Sequence, residues 1–161
     1  CYKSYYLFTG KIGYIVEQHK KQDFLNLAVG LFGNLIATFL LGMLLRTVLP
    51  NIGERAAEMC SAKLAQFPLY SFIRGFFCGI LMYLAVSIYK EKNSVLGVLF
   101  CVPVFILCGF EHSIADMFYF GTSGIFDTKI IFFMALIVAG NTLGAMVLPL
   151  LKGVHTNEKQ G

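Results

Sequence analysis

Long apolar stretches alternate with short polar joints along this chain, and the pattern predicts a bundle of membrane-spanning helices. Residues 24–46 and 129–151 each contain an uncharged run long enough to cross a hydrocarbon core of about 30 Å. Residues 68–89 form a third span if Arg74 extends its charged end toward the lipid headgroups. We therefore predict an all-α fold, a polytopic membrane helix bundle.

Two more apolar segments are interrupted or short. Residues 93–118 are broken near 109–113, and residues 5–16 are too short to cross and contain two glycines, so we interpret them as the second half of a helix. Residues 1–161 are then one transmembrane domain, incomplete at its N-terminus. A small excess of Lys and Arg in alternate joints places the C-terminal tail, 152–161, in the cytoplasm.

The break near 109–113 carries Glu111 and His112. Ionisable side chains at membrane depth cost several kcal/mol and persist where they line a cavity or a substrate path, which predicts a transport site. The two side chains point roughly 100° apart on a helix, so we expect different roles. Glu111 should accept hydrogen bonds from loop amides and shape the break with Gly109, and His112 should meet the substrate. A structural histidine bonded to a backbone carbonyl is the alternative.

An internal repeat relates the two ends of the chain. The segment 33–37 (GNLIA) recurs as 140–144 (GNTLG), with two spans between the copies, so the repeat is inverted. Thr9 lies in an opening segment that corresponds to the break at His112, which predicts a midplane site formed by both. Asn34 and Asn141 belong to this candidate pathway, or else they are amides that pack helices together. Thr9 alone could equally be a turn residue.

Composition narrows the function. Hydrophobic residues make up 57% and charged residues 14% of the chain, where soluble domains carry about 25% charged residues. The net charge of +4 is spread over several joints, which argues against nucleic acid as a partner. The five cysteines lack a CxxC spacing, so we expect buried reduced thiols and no metal site. Enzyme motifs are also lacking, and we expect neither catalysis nor a cofactor.

Residues 109–118 (GFEHSIADMF) closely resemble the signature of the formate/nitrite transporter family. Residues 7–10 (LFTG) look like the loop that interrupts that family's second helix, and the Gly-Asn pair at 140–141 resembles the motif of its last helix. Residues 74–75 and 78–86 resemble its fourth helix. Two positions depart from the family pattern: Gly79 and Asp116 both stand where asparagine is common.

The resemblance implies an aquaporin-like protomer with two broken helices, assembled in the lipid bilayer as a homopentamer with one anion pore per protomer. The membrane would be of the bacterial inner membrane type. Thr9 and His112 would form the central site and Lys63 would draw anions into the vestibule, although its sequence context alone suggests a solvated loop lysine. Constrictions would be formed by Leu7, Phe8 and Phe105.

The function expected is passage of small monovalent anions of weak acids, formate or nitrite, with protons supplied through His112. A channel for hydrosulfide or another small anion shares this architecture. A membrane scaffold without flux is the alternative from another class, in which Glu111 and His112 only hold helices together.

Overall fold

The computed structural model describes residues 7–16 and 21–158, with residues 15–16 and 153–158 described by backbone alone. These ranges are helical apart from short connections. The elements are α1 (Phe8–Lys11), a 3-10 helix (Ile12–Val16), α2 (Lys21–Val48), α3 (Pro50–Leu64), α4 (Pro68–Lys92), α5 (Leu96–Leu107), α6 (Ser113–Ser123) and α7 (Lys129–Glu158). The first part of the predicted 5–16 segment, Cys1, and the end of the tail lie outside the described residues.

Within the described residues, three helices are long and apolar enough to cross a membrane: α2, α4 and residues Lys129–Lys152 of α7. The prediction of an all-α polytopic membrane bundle is thereby confirmed. They occupy the three apolar stretches at 24–46, 68–89 and 129–151. α7 continues to Glu158, so much of the segment expected to be a tail is helical.

Glycines bring α4 and α7 into backbone contact. A Cβ atom at Gly144 would overlap the carbonyl oxygen of Phe76, and one at Gly79 would overlap the carbonyl oxygen of Asn141. Membrane helices gain little from hydrophobicity between them and associate where small residues let their backbones approach. An asparagine at position 79 would not fit without separating the helices, so helix packing explains this departure from the family pattern.

α2 packs against α6 in the same way, and near its start Leu27 is buried against Phe8 and Ile12. Cβ atoms at Gly42 or Gly121 would overlap backbone carbonyls of α6 or α2, respectively. The remaining surface of α2 exposes large apolar side chains such as Phe32, Ile36 and Leu40. Lipid, or another apolar surface, is the environment that such a face requires.

α3 is a helix within a joint, residues 46–66, that we expected to be a polar connection. It begins with Pro50 at its first turn, where the missing N–H costs no hydrogen bond. It buries Gly53, Ala56 and Cys60, which share one face at helical spacing. The helix was not predicted from the sequence because its polar residues outnumber the residues of this short apolar stripe. The helix matters because it carries Lys63 close to the break.

The predicted break lies between α5 and α6, at residues 108–112. Gly109 has a φ of 64°, a left-handed conformation that glycine adopts without steric cost and that ends helices. The backbone then extends through His112 before α6 begins. Among the described cysteines, Cys60, Cys78 and Cys101 are buried free thiols, as expected, whereas Cys108 next to the break is exposed.

Candidate functional site

A hydrogen bond joins the opening segment to the break. Thr9 Oγ1 lies 3.0 Å from His112 Nε2, and the two residues are only 1% and 7% exposed. Thr9 is held in α1, whereas His112 is the last extended residue before α6. Two segments that are remote in sequence therefore place their polar side chains together in the interior of the bundle.

The second nitrogen of His112 fixes the orientation of the ring. Nδ1 accepts a hydrogen bond from the backbone N–H of Ala115 at 3.3 Å, so the side chain caps the N-terminus of α6. A neutral imidazole has one donor and one acceptor nitrogen. With Nδ1 accepting, the ring proton lies on Nε2 and is donated to Thr9 Oγ1. The backbone partner is thus an N–H group rather than the carbonyl considered from the sequence.

An aromatic ring covers this pair. Phe105 stacks on the His112 ring with centroids 5.6 Å apart and an interplanar angle of 27°. Phe8 is buried in a cluster with residues that include Ile12 and Tyr83, and Leu7 is partly buried just before α1. Phe105 is therefore adjacent to the Thr9–His112 pair, while the role of all three residues as constrictions stays a prediction.

A charged cluster lies on the other side of the break. Lys63 Nζ donates hydrogen bonds to Glu111 Oε2 and, over 3.0 Å, to Asp116 Oδ1. The side chain of Lys63 is 14% exposed and those of both carboxylates are 2% exposed. Lys63 is therefore not a solvated loop lysine. Glu111 accepts from this lysine, where we had expected loop amides.

The charge of Lys63 is stabilised by its neighbours. Burial on its own would lower the pKa of the ammonium group, but the negative charges of Asp116 and Glu111 outweigh that effect and raise the pKa above its usual value. Lys63 is therefore protonated at any physiological pH. Its positive charge is also largely compensated by the two carboxyl groups.

Asn141 fastens the break to the helix pair α4–α7. Its Oδ1 accepts from the backbone N–H of Ser113 at 2.9 Å, and its Nδ2 donates to the carbonyls of Gly75 and Glu111, both at 2.9 Å. The residue is fully buried. Both amide hydrogens are used by backbone carbonyls, which favours the helix-packing alternative over a direct contact with substrate.

Asn34, the counterpart of Asn141 in the repeat, is used differently. It lies in α2, and its amide donates to the carbonyl of Gly30 one turn earlier in the same helix. The backbone carbonyl of Asn34 accepts from the Thr38 hydroxyl at 2.8 Å. The bonds described for Asn34 stay within α2, whereas those of Asn141 cross between helices.

Asp116 was noticed in the sequence only as a departure from the family pattern. The structure places it in the first turn of α6, 2% exposed, beside Lys63. An acidic residue in the first turn of a helix that follows a break is a signal that could have identified it, because the helix N-terminus favours negative charge. Within the described ranges, no three His, Cys, Asp or Glu side chains are grouped as metal ligands.

Comparison with known proteins identifies the family. No curated protein matches the chain. The family described as "Formate/nitrite transporter" matches residues 4–152, a range that includes both sides of the break, the opening segment and all three long spans. The match covers nearly the whole chain, and this protein therefore belongs to the formate/nitrite transporter family.

Proposed function

We propose that this protein is a membrane channel for small monovalent anions of weak acids, formate or nitrite, and that the anion meets a proton at Thr9 and His112. Family membership supports the coarse function. The observation that carries the site is the buried hydrogen bond between Thr9 Oγ1 and His112 Nε2. This polar pair lies at an interruption of a membrane helix, where such groups line substrate paths.

The physical problem is to move a charged ion through an apolar constriction. Transferring a bare ion into a low-dielectric medium costs tens of kcal/mol by Born estimates. Desolvation also raises the proton affinity of a carboxylate or nitrite anion. Protonation therefore becomes favourable where the cost of the charge is greatest, and the neutral acid crosses past Phe8 and Phe105.

His112 is the group that supplies the proton in this proposal. The neutral ring first takes a proton from the aqueous solution on Nδ1 and gives up the bond from the Ala115 amide. The imidazolium then transfers the proton on Nε2 to the anion, which leaves as the neutral acid, and Nε2 accepts from the Thr9 hydroxyl. The α6 N-terminus disfavours the positive ring, so the imidazolium is short-lived and the proton passes readily to an anion.

Lys63 attracts anions more weakly than an isolated lysine would. We propose that it attracts anions toward the break, as the resemblance implies. Its two carboxyl partners screen that attraction at distances beyond the cluster, because a negative charge a few Å from the ammonium group largely cancels its field from afar. Anion attraction then depends on the protonation state of the cluster as a whole.

The assembly and location follow as further parts of the proposal. We propose a homopentamer in a lipid bilayer, in a membrane of the bacterial inner membrane type and with the C-terminus in the cytoplasm. The exposed apolar face of α2 supports burial against lipid or a neighbouring protomer. Chemical crosslinking in native membranes tests the subunit number.

Reconstitution into proteoliposomes tests the function. Initial uptake rates of formate, nitrite, lactate and hydrosulfide are compared at equal concentration, with protein-free liposomes as the baseline. The proposal predicts uptake of formate or nitrite above the baseline. Uptake restricted to hydrosulfide would select the alternative cargo, and an assembled oligomer that passes none of the four anions would favour the scaffold.

A further inference from the structure

The cluster at the break contains more negative than positive groups. Lys63 is the cation bonded to two carboxyl groups, and these are 2% exposed at Glu111 and Asp116. Other titratable groups near the cluster, among the described residues, are the thiols of Cys60 from α3 and Cys78 from α4, Tyr119 from α6, whose ring centroid lies 6.0 Å from Lys63 Nζ, and His112, which is adjacent to Glu111 in the sequence. The phenol of tyrosine is neutral at pH 7. Thiols are neutral at pH 7. If both carboxyl groups were ionised, the cluster would carry a buried net negative charge.

The two oxygens of Asp116 have different surroundings. Oδ1 accepts from Lys63 at 3.0 Å. Among the described residues no hydrogen-bond donor reaches Oδ2, which is fully buried. The Asp116 carboxyl group does interact with that of Glu111, side chain to side chain. Oδ2 therefore lacks a donor while an acceptor group lies close by.

A proton on one carboxyl oxygen would remove the excess negative charge of the cluster and would also account for the missing hydrogen-bond donor at Asp116 Oδ2. A carboxylic acid has an O–H group that can donate, and two carboxylates that share a site cannot both ionise easily because like charges repel. A buried charge without a compensating charge strongly destabilises the folded protein. Placing one proton between the carboxyl groups removes the excess charge and gives the orphaned oxygen a role. We propose that Asp116 binds a proton on Oδ2, so that Lys63, Glu111 and Asp116 together are neutral.

The held proton has a consequence for transport, and this part rests on the proposed function. Glu111 of the cluster and His112 of the site are adjacent residues. Loss of the Asp116 proton would therefore add one negative charge close to the anion path and repel the anion. Alkaline pH therefore lowers the rate of anion entry by removing the Asp116 proton. The single positive charge of Lys63 does not compensate for two ionised carboxylates.

Infrared spectroscopy of the intact protein in lipid tests the proton directly. The chain has three aspartates, Asp23, Asp116 and Asp127, so labelling with carboxyl-¹³C aspartate is selective. We expect a carboxylic-acid C=O band at pH 7 that shifts with this label and is lost in Asp116→Asn. The matched control Asp127→Asn retains the band, because Asp127 accepts from the Lys129 amide in an exposed turn.

Three results would overturn the proposal. They are the absence of an aspartate-sensitive acid band at pH 7, its survival in Asp116→Asn, and a band that shifts with labelled glutamate instead. If Asp116→Asn does not assemble, the band is assigned by exclusion, and Asp23→Asn and Asp127→Asn must each retain it. Loss of the band in either of these variants would also overturn the proposal.

Flux measurements separate this inference from the proposed function. At a fixed anion concentration and without a pH gradient, uptake by the wild type should fall more steeply toward alkaline pH than uptake by Asp116→Asn. Equal pH profiles would reject the effect on anion entry. A protein that shows the aspartate band but passes no anion would refute the proposed function and leave the proton site intact.

Discussion

The break between α5 and α6 has two different sides, although they are built on the consecutive residues Glu111 and His112. On one side Glu111 joins a buried charged cluster with Lys63 and Asp116. On the other side His112 makes an uncharged hydrogen bond to Thr9. The carboxyl groups of the charged side are bonded to Lys63, whereas the uncharged side is a neutral pair of hydroxyl and imidazole. Under the proposed function, Glu111 would hold the break in shape and His112 would contact the substrate, so two consecutive residues would have different roles.

Removing the cation should have the largest effect. Lys63→Met leaves the Glu111 carboxylate buried without a partner, and breaking a buried pair in this way costs about 3–5 kcal/mol. We expect a large fall in the thermal unfolding temperature of the purified protein and loss of assembled oligomer. Lys92→Met, at an exposed position, is the control. Equal melting of the two variants would show that the charged side is not structural.

Removing the Asn141 side chain, which bonds the break to α4 and α7, should have the second-largest effect. Asn141→Ala removes three hydrogen bonds and leaves the carbonyl of Glu111 and the amide of Ser113 without these partners, whereas the carbonyl of Gly75 keeps its bond within α4. Each unpaired buried group costs about 1–3 kcal/mol, although water that enters the vacated space would reduce the sum. We expect a lower unfolding temperature, and faster hydrogen exchange at Ser113. Asn26→Ala, which removes an exposed bond to Gln22, should change neither quantity.

On the uncharged side, Thr9→Val tests the site with little change in shape. The variant removes the hydroxyl that receives the His112 proton and leaves one buried N–H unpaired, a cost of about 1–3 kcal/mol. We expect about a tenfold fall in the initial rate of formate uptake while the protein still assembles. The matched control is Thr47→Val, whose hydroxyl bonds within α2 at an exposed position. Uptake reduced equally by both variants would remove Thr9 from the pathway.

The sequence predicted one side of the break better than the other, for a physical reason. The positions of the spans and of Gly109 follow from local properties, namely apolar length and the need for a left-handed residue. The Thr9–His112 contact could be anticipated because the predicted repeat relates their segments. The partners of Lys63 could not be predicted, since they lie 48 and 53 residues away. In addition, the polar residues of the joint gave no indication of the helix α3 that carries Lys63.

The same reasoning explains Asn141 and Gly79. Their residue types suit either a pathway or a helix interface, and only the close approach of α4 and α7 decides between these uses. At Gly79 the backbone of α7 leaves no room for a side chain. At Asn141 three backbone groups from different elements converge on one amide. Such convergence depends on tertiary packing and leaves no local pattern in the sequence.

The division of roles at the break depends most on His112, and His112→Asn isolates its proton chemistry. Asparagine is a good N-cap residue, so it can replace Nδ1 as the acceptor for the Ala115 amide. His112→Asn then loses stability only through the bond to Thr9 and the contact with Phe105. His112→Ala loses the cap as well and serves as the comparison for folding. The two variants therefore separate the structural role of the ring from its ability to carry a proton.

The decisive measurement is the initial rate of formate uptake into proteoliposomes with and without an inward proton gradient. Protein-free liposomes are subtracted because neutral formic acid crosses lipid by itself. We predict that the wild type responds to the gradient and that His112→Asn, although it still folds and assembles, does not. Proton-driven uptake that is unchanged in His112→Asn at every pH would contradict the account.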